Sequence, residues 1–465
     1  MKIFKNILKA VAFLVLFLII FNMIASPLFV SGNDSEYQWM TGIYEEDEDS
    51  LDAVYLGSSN CYAFWNPVIA WERSGIAVFP FVCSSQPLIV AEYLVREARK
   101  TQPDALYIIN TNTLGDNLVE GKDAPADNLA QGEEGDASLT EVVMHRVLDY
   151  LPFSFNKLNL THYLCEAAEL SFTERLEYYF PIIRYHDKWE SLTKYNFDRE
   201  LNTVKGADTL FWYFSYIYDV TKDYYVPEKS LPISELMTDS LTSLCDYLEE
   251  EEVNVLFVTV PRAEKNEGEP ERINTVNDML RERGFEVLDL RGKKDEIGLD
   301  TTVDYYNANH TNIHGSMKFT YYLSDYLIEN YGFEDKRGNE DYADWDQAVV
   351  DYDVYLKNRI LPIEKFWGKR NYEIYAPWIQ SMTPNGDTAI DLVWTSAYGA
   401  DGYDVYRKIN DVEWQWLGDV KETTFTDTDA AAPGKYVYTI APYELADGEK
   451  YYGKFNYRGR EIVKD

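Results

Sequence analysis

Basic residues are scarce in this chain: 43 Lys and Arg stand against 79 Asp and Glu, a formal net charge of −36. So acidic a balance excludes a general grip on nucleic acid or on anionic membrane surfaces, both of which reward cations. Cysteine is scarcer still. The four, Cys61, Cys83, Cys165 and Cys245, include no CxxC pair, which excludes a zinc ribbon or a thioredoxin-like site. Histidines number only five, so any imidazole chemistry must come from His145, His162, His186, His310 or His314. His310 and His314 are spaced to share a helical face, but no third ligand is recognisable beside them, so no metal and no cofactor is expected. What is plentiful is apolar material: 46% hydrophobic and 15% aromatic residues over 465 positions, enough for two or three domains with real cores.

The one long apolar run is Ala10 to Val30, "AVAFLVLFLIIFNMIASPLFV", broken only by Asn22 and Ser26. About 20 such residues, rising about 1.5 Å each in a helix, span a bilayer core of about 30 Å. Lys2, Lys5 and Lys9 precede the run, and acidic residues such as Asp34, Glu36 and Glu45 follow it. The positive-inside rule then keeps the N-terminus in the cytoplasm and puts the bulk of the chain outside, on a single-pass anchor. A cleaved signal peptide is the rival reading, but the run is longer than the usual h-region. Outside the cell disulfides become possible, and a Cys61–Cys83 bridge is one expectation. Four buried free thiols is the other.

Beyond an acidic spacer (32–50), strand-like and helix-like stretches alternate. "LDAVYLGSS", "GIAVFPFVC", "PDALYIINTN", "VNVLFVTVP" and "FEVLDLRG" read as five buried strands. "QPLIVAEYLVREARK", "ISELMTDSLTSLCDYLEEEE", "EPERINTVNDMLRERG" and "GSMKFTYYLSDYLIENYG" read as helices between and after them. The spacing predicts an α/β domain over 51–332, a doubly wound, mostly parallel five-stranded sheet, with an aromatic-rich insertion at about 114–229. A linker packed on the main domain (333–374) follows, acidic and aromatic and without a clean element. From 375 to 465 the texture changes to short strands separated by Gly, Asp, Asn and Pro turns, as in an antiparallel sandwich. Trp394 is expected in its core, and Tyr436, just after "APGK", stands where a tyrosine corner would form. The pattern "GYDVYRK…WLGDV…TTFTDTD…PGKYVYTI" resembles a fibronectin type III module.

"GSSN", Gly57 to Asn60, sits at the tip of the first strand, and "DYYNANHTNIHGSMKFT" precedes the last helix. In a doubly wound sheet both loops reach the carboxyl edge of the strands, where ligands bind. A serine hydroxyl there becomes a nucleophile if an imidazole takes its proton and a third group orients the ring. The plainer alternative is that Ser58, Ser59 and Asn60 only cap the following helix. On Gly57, Ser58 and Ser59, and on His310 with Asn312, Gly315 and Lys318, the chain resembles the SGNH or GDSL lipase/esterase and acyltransferase superfamily. It is most similar to the extracytoplasmic branch that includes teichoic-acid D-alanyl transfer proteins and alginate O-acetyltransferases.

The resemblance implies Ser59 as nucleophile and His310 as general base. It also implies a membrane-anchored extracytoplasmic esterase or O-acyltransferase, acting on an acylated cell-surface polysaccharide, in some relatives beside a multi-span membrane O-acyltransferase. Two departures stand out. The family's orienting Asp is replaced by Asn307, so Asp304 becomes the candidate substitute if its loop curls back. No Gly follows the second strand, so the oxyanion donors fall to the backbone of Ser84 or Ser85 and to Asn112, with Asn110 as second choice. These departures keep a second reading open, a catalytically inactive surface protein that binds glycan or protein partners. In the insertion, Tyr179, Tyr185, His186 and Trp189 read first as cap core and second as a carbohydrate slot.

Overall fold

Each buried strand alternates its side chains between two cores. In the computed structural model, Val54 and Leu56 join Phe79, Phe81, Tyr107, Ile109 and Phe257 on one side, while Ala53 and Tyr55 join Val78, Val82, Ile108 and Val258 on the other. That period of two with both faces apolar is what a covered parallel strand requires. The structure describes residues 35–115, 139–197, 203–208, 226–263, 268–301, 304–352, most of 377–464 and isolated positions elsewhere. The five strands are β1 (Ala53–Gly57), β2 (Val78–Val82), β3 (Leu106–Asn110), β4 (Val255–Thr259) and β5 (Val287–Asp289). They form one parallel sheet of order β2-β1-β3-β4-β5, with Ala53 opposite Val78 on one flank and Leu106 on the other. This is the flavodoxin-like order, whose direction of growth reverses between β1 and β3 and opens a crevice at their carboxyl ends.

The helices of more than one turn used below are, in chain order, α1 (Ser35–Thr41), α2 (Ser59–Phe64), α3 (Pro67–Ser74), α4 (Ala91–Ala98), α5 (Leu139–Leu148), α6 (Phe155–Ala167), α7 (Phe172–Tyr179), α8 (Glu235–Glu250), α9 (Glu269–Glu282) and α10 (Ile313–Tyr331). Two segments outside the expected alternation of strands and helices are built into the domain, the second in keeping with a linker packed on it. Residues 35–44 of the acidic spacer are helical and bury Tyr37, Trp39, Met40 and Ile43, because their apolar positions fall on one side of the turns. The first part of the supposed linker is helical at 343–352 and buries Trp345, Ala348, Val349 and Tyr352 in the sheet's core. The rest of that linker lies outside the described residues, as do most of the apolar run Ala10–Val30 and the acidic part of the insertion. Among the described residues no helix is long and apolar enough to cross a membrane.

All four cysteines are free and buried, so the Cys61–Cys83 bridge does not form. The reason is the sheet itself, since Cys61 packs into one core and Cys83 into the other.

The C-terminal region is an antiparallel sandwich. One sheet runs β10 (Thr424–Asp427), β7 (Ala389–Trp394), β6 (Ile379–Asn385); the other runs β12 (Glu449–Tyr452), β11 (Gly434–Ala446), β8 (Gly402–Ile409), β9 (Gln415–Val420), with β13 (Arg460–Lys464) also on β11. Trp394 lies in its core with Ile390, Leu392, Val405 and Ile440. The Tyr436 hydroxyl donates to the Ala432 carbonyl at 2.7 Å, the bond that defines a tyrosine corner. Arg407 and Asp427 pair at 2.7 Å inside it, and the Tyr438 hydroxyl donates to the same carboxylate at 2.7 Å.

β1 can end where it does only because its last residue is glycine. Gly57 has φ +152°, and a Cβ there would lie 2.6 Å from both the Asn110 Cβ and the Cys61 Sγ. Gly57→Ala is therefore expected to cost about 3 kcal/mol through backbone strain and overpacking, read as a lower urea midpoint for the α/β transition.

Candidate active site

The turn after β1 divides its labour between adjacent serines. Ser58 takes the N-cap of α2 in extended backbone, and its hydroxyl accepts from the Asn60 side chain at 3.0 Å and meets the Thr113 hydroxyl at 2.9 Å. With the cap filled, Ser59 at the first helical position is spared that duty. Its Oγ lies 2.7 Å from His310 Nε2.

His310 reaches this point because α10 is fastened to the far end of α2. The last carbonyls of a helix have no partner within it. Here the Ala63 carbonyl accepts from Thr311 Oγ1, and the Phe64 carbonyl accepts from Ser316 Oγ at 3.2 Å. Asn312 caps α10, its side chain accepting from the amides of His314 at 3.0 Å and Gly315 at 3.3 Å. Gly315 is required for close approach, since a Cβ there would lie 2.2 Å from the Asp304 carbonyl oxygen. The loop in between is closed by a Tyr305–Thr311 bridge and by the Tyr306 amide donating to the His310 carbonyl at 2.9 Å.

Asn307 sets the ring. Its Oδ1 accepts from the Asn309 amide at 2.9 Å and the His310 amide at 3.0 Å, so this atom is the oxygen of the side chain and not its nitrogen. His310 Nδ1 lies 2.9 Å from the same oxygen and must therefore carry the ring proton. That leaves the Nε2 lone pair facing Ser59, which is the tautomer a general base needs. Burial, then the positive charge of Arg262, push the imidazole down to about 4. A neutral amide opposite Nδ1 does nothing to oppose that fall.

The other expected residues stand elsewhere. Asp304 is fully buried, but its carboxylate takes Lys318 Nζ at 2.7 Å and the Asp300 amide at 2.6 Å, while the ring's Nδ1 is held by Asn307. The loop does not curl back to offer a carboxylate. Asn110 and Asn112 are tied up as well: Asn110 Nδ2 donates to Asn112 Oδ1 at 3.0 Å, and Asn112 exchanges bonds with the Val260 amide and carbonyl at 2.8 and 3.1 Å. These bonds tie the end of β3 to the end of β4. In the turn after β2, the Ser84 amide donates to the Glu36 carboxylate at 2.9 Å. Ser85 follows in left-handed backbone at φ +59°, an uncommon conformation for a residue with a Cβ. The Gln86 side chain holds the turn by accepting from the Cys83 amide at 3.2 Å. In the insertion, Tyr185 is core, its hydroxyl donating to Asp149 at 2.6 Å, whereas Trp189 is 63% exposed.

Tyr62 escaped the sequence reading. It lies one helical turn after Ser59, its ring is parallel to His310 at 6.5 Å and stacked on Trp39 at 4.0 Å, and its hydroxyl meets Ser84 Oγ at 3.2 Å. Its hydroxyl also interacts with Ser59, and burial first of all raises its pKa, so it stays a neutral donor. The i, i+3 spacing from Ser59 was the available signal; the Trp39 that fixes the ring comes from outside the sheet domain's pattern.

No protein-family profile matches this chain, and no curated protein sequence matches it. Solved structures similar to part of it are fibronectin type III domains. A Fn3-like protein from Clostridium thermocellum is 22% identical over 18% of this chain and 88% of its own, with a TM-score of 0.16. The FN3 domain of human collagen XX is 12% identical over 20% of this chain and 88% of its own, with a TM-score of 0.15. The class of protein defined by the coordinates is a parallel five-stranded α/β domain followed in the chain by an antiparallel β-sandwich.

The ring's environment predicts its titration. His310 should keep the Nδ1–H tautomer and stay neutral down to about pH 4, against 6.5 for an ordinary histidine, when followed by nitrogen-15 NMR of the imidazoles. The unfolded chain takes up this proton near 6.5 and the folded one resists it. The ring's stabilising contribution is therefore complete above that pH and is lost as pH falls toward 4.

Proposed function

We propose that this chain is a serine-dependent acyl esterase or O-acyltransferase of the SGNH type. The observation that carries the reading is the 2.7 Å contact between Ser59 Oγ and His310 Nε2, with the tautomer set by Asn307. In the proposed reaction Ser59 Oγ attacks the ester carbonyl while its proton passes to Nε2. The tetrahedral intermediate expels the alcohol, which takes that proton, and leaves an acyl-serine. Water or a sugar hydroxyl then attacks the acyl-serine, giving up its proton to the same nitrogen, and Ser59 recovers a proton as it leaves.

For the developing oxyanion, the donors at hand are the Ser59 amide, at a helix position with no internal acceptor, and the Tyr62 hydroxyl. The acylated cell-surface glycan as substrate, the membrane anchor with the bulk of the chain extracytoplasmic, and a multi-span membrane O-acyltransferase as partner rest on the family resemblance and on the apolar run Ala10–Val30.

A second reading is favoured by a specific observation, the amide in place of the carboxylate. The same exchange lowers turnover about 10⁴-fold in a serine protease. With Asn110, Asn112 and the Ser84 amide already bonded, this chain would then be a binding protein that keeps the crevice without the reaction.

A fluorophosphonate probe separates the two. The enzyme requires labelling of the wild type that is lost in both Ser59→Ala and His310→Ala; no labelling of any of the three supports the binder. Asn307→Asp keeps an oxygen for both backbone amides and adds the missing charge. It is expected to speed labelling by at least about tenfold and to raise the His310 pKa. Tyr62→Phe should slow labelling by about tenfold or more while leaving the fold, read by circular dichroism, unchanged.

A further inference from the structure

The insertion carries a second group of chemistry-bearing side chains on helices of its own. Glu141 and His145 are one turn apart on α5, and Glu177 projects from α7. One carboxylate oxygen of each glutamate and one ring nitrogen of His145 lie within 4.8 Å of one another. His145 is 5% exposed. Its Nδ1 is committed to the Asp149 carboxylate at 3.1 Å, and Tyr185 in turn donates to that carboxylate at 2.6 Å. Its Nε2 is buried and has no hydrogen-bond partner among the described residues. A buried ring nitrogen without a partner is costly unless something else occupies its lone pair.

Because Asp149 takes the Nδ1 proton, Nε2 presents that lone pair, and the Tyr178 ring stacked at 4.6 Å keeps the imidazole from turning away. A carboxylate on the distal nitrogen of a histidine is the usual outer support of a metal-bound imidazole.

We propose that Glu141, His145 and Glu177 form a divalent transition-metal site that clasps α5 to α7. One nitrogen and two carboxylate oxygens suit zinc, with manganese or iron(II) as chemical relatives; calcium and magnesium take oxygen ligands and would leave the imidazole unused. Two carboxylates balance the charge of a dication, and three protein ligands leave a fourth position for water.

Arg184 is the competitor, for its guanidinium is ion-paired with Glu141. The metal must displace it, so the arginine sets how tightly the site binds and the clasp has two states, one closed by guanidinium and one by metal. This site is independent of the Ser59–His310 reading and stands or falls without it.

The test uses the full chain, stripped with a chelator and titrated with zinc alone, with cobalt(II) absorption reporting the ligand field. One zinc per chain is expected, with a higher melting temperature. His145→Gln and Glu177→Gln should each weaken uptake at least about tenfold, and Arg184→Ala should tighten it. Glu177 is only half-buried, so its variant carries the test if His145→Gln fails to fold. No stoichiometric uptake by the wild type at roughly 100 μM zinc, or uptake unchanged by Glu177→Gln, overturns the proposal.

Discussion

The crevice depends on hydroxyls at and just before the start of one helix completing the end of another. α2 is only six residues long, too short to hold itself together in water. Its N-terminus is closed by Ser58 and its C-terminal carbonyls by Thr311 and Ser316. Thr320 extends the seam by accepting from the Asn66 amide at 2.9 Å. A serine at the start of α2 and a histidine at the approach to α10 are separated by most of the domain in sequence. The seam makes them neighbours, and it does so with bonds that α2 needs in any case to satisfy its own backbone.

Asn307 shows how orientation and electrostatics come apart. One carbonyl oxygen collects two backbone amides and the ring, so the turn and the imidazole share an acceptor and neither moves without the other. A carboxylate would do the same steric work and would also draw a proton onto the ring. The amide keeps the geometry and omits the charge, and with Arg262 nearby the imidazole is left a feeble base.

Much of this was legible in the residues. The five apolar runs are strands because both faces of a parallel sheet are covered, which needs no partner to be named. Topology brought the loops carrying Ser59 and His310 to one edge, and the choice of those two residues within them came from the family resemblance. Tyr436 followed from its place after a turn. What was illegible depended on which partner a polar group finds. Asn110 and Asn112 read as free amides at a strand end, but two asparagines two residues apart bond to each other and to β4 before any ligand arrives. Asp304 reads as a spare carboxylate until Lys318, one helical face away, claims it. The acidic composition of the spacer hid the helix at 35–41, since three buried side chains amid the charges around them leave the average polar.

That helix alters what counts as the unit. Trp39 is the floor on which Tyr62 lies, and Glu36 occupies the amide of Ser84, so the rim of the crevice includes residues upstream of β1. A truncation chosen from the sheet alone would begin near residue 51. It would keep Ser59 and His310 while removing the surface that levels the ring beside them, and the severed piece would be judged on a cleft the intact polypeptide never presents.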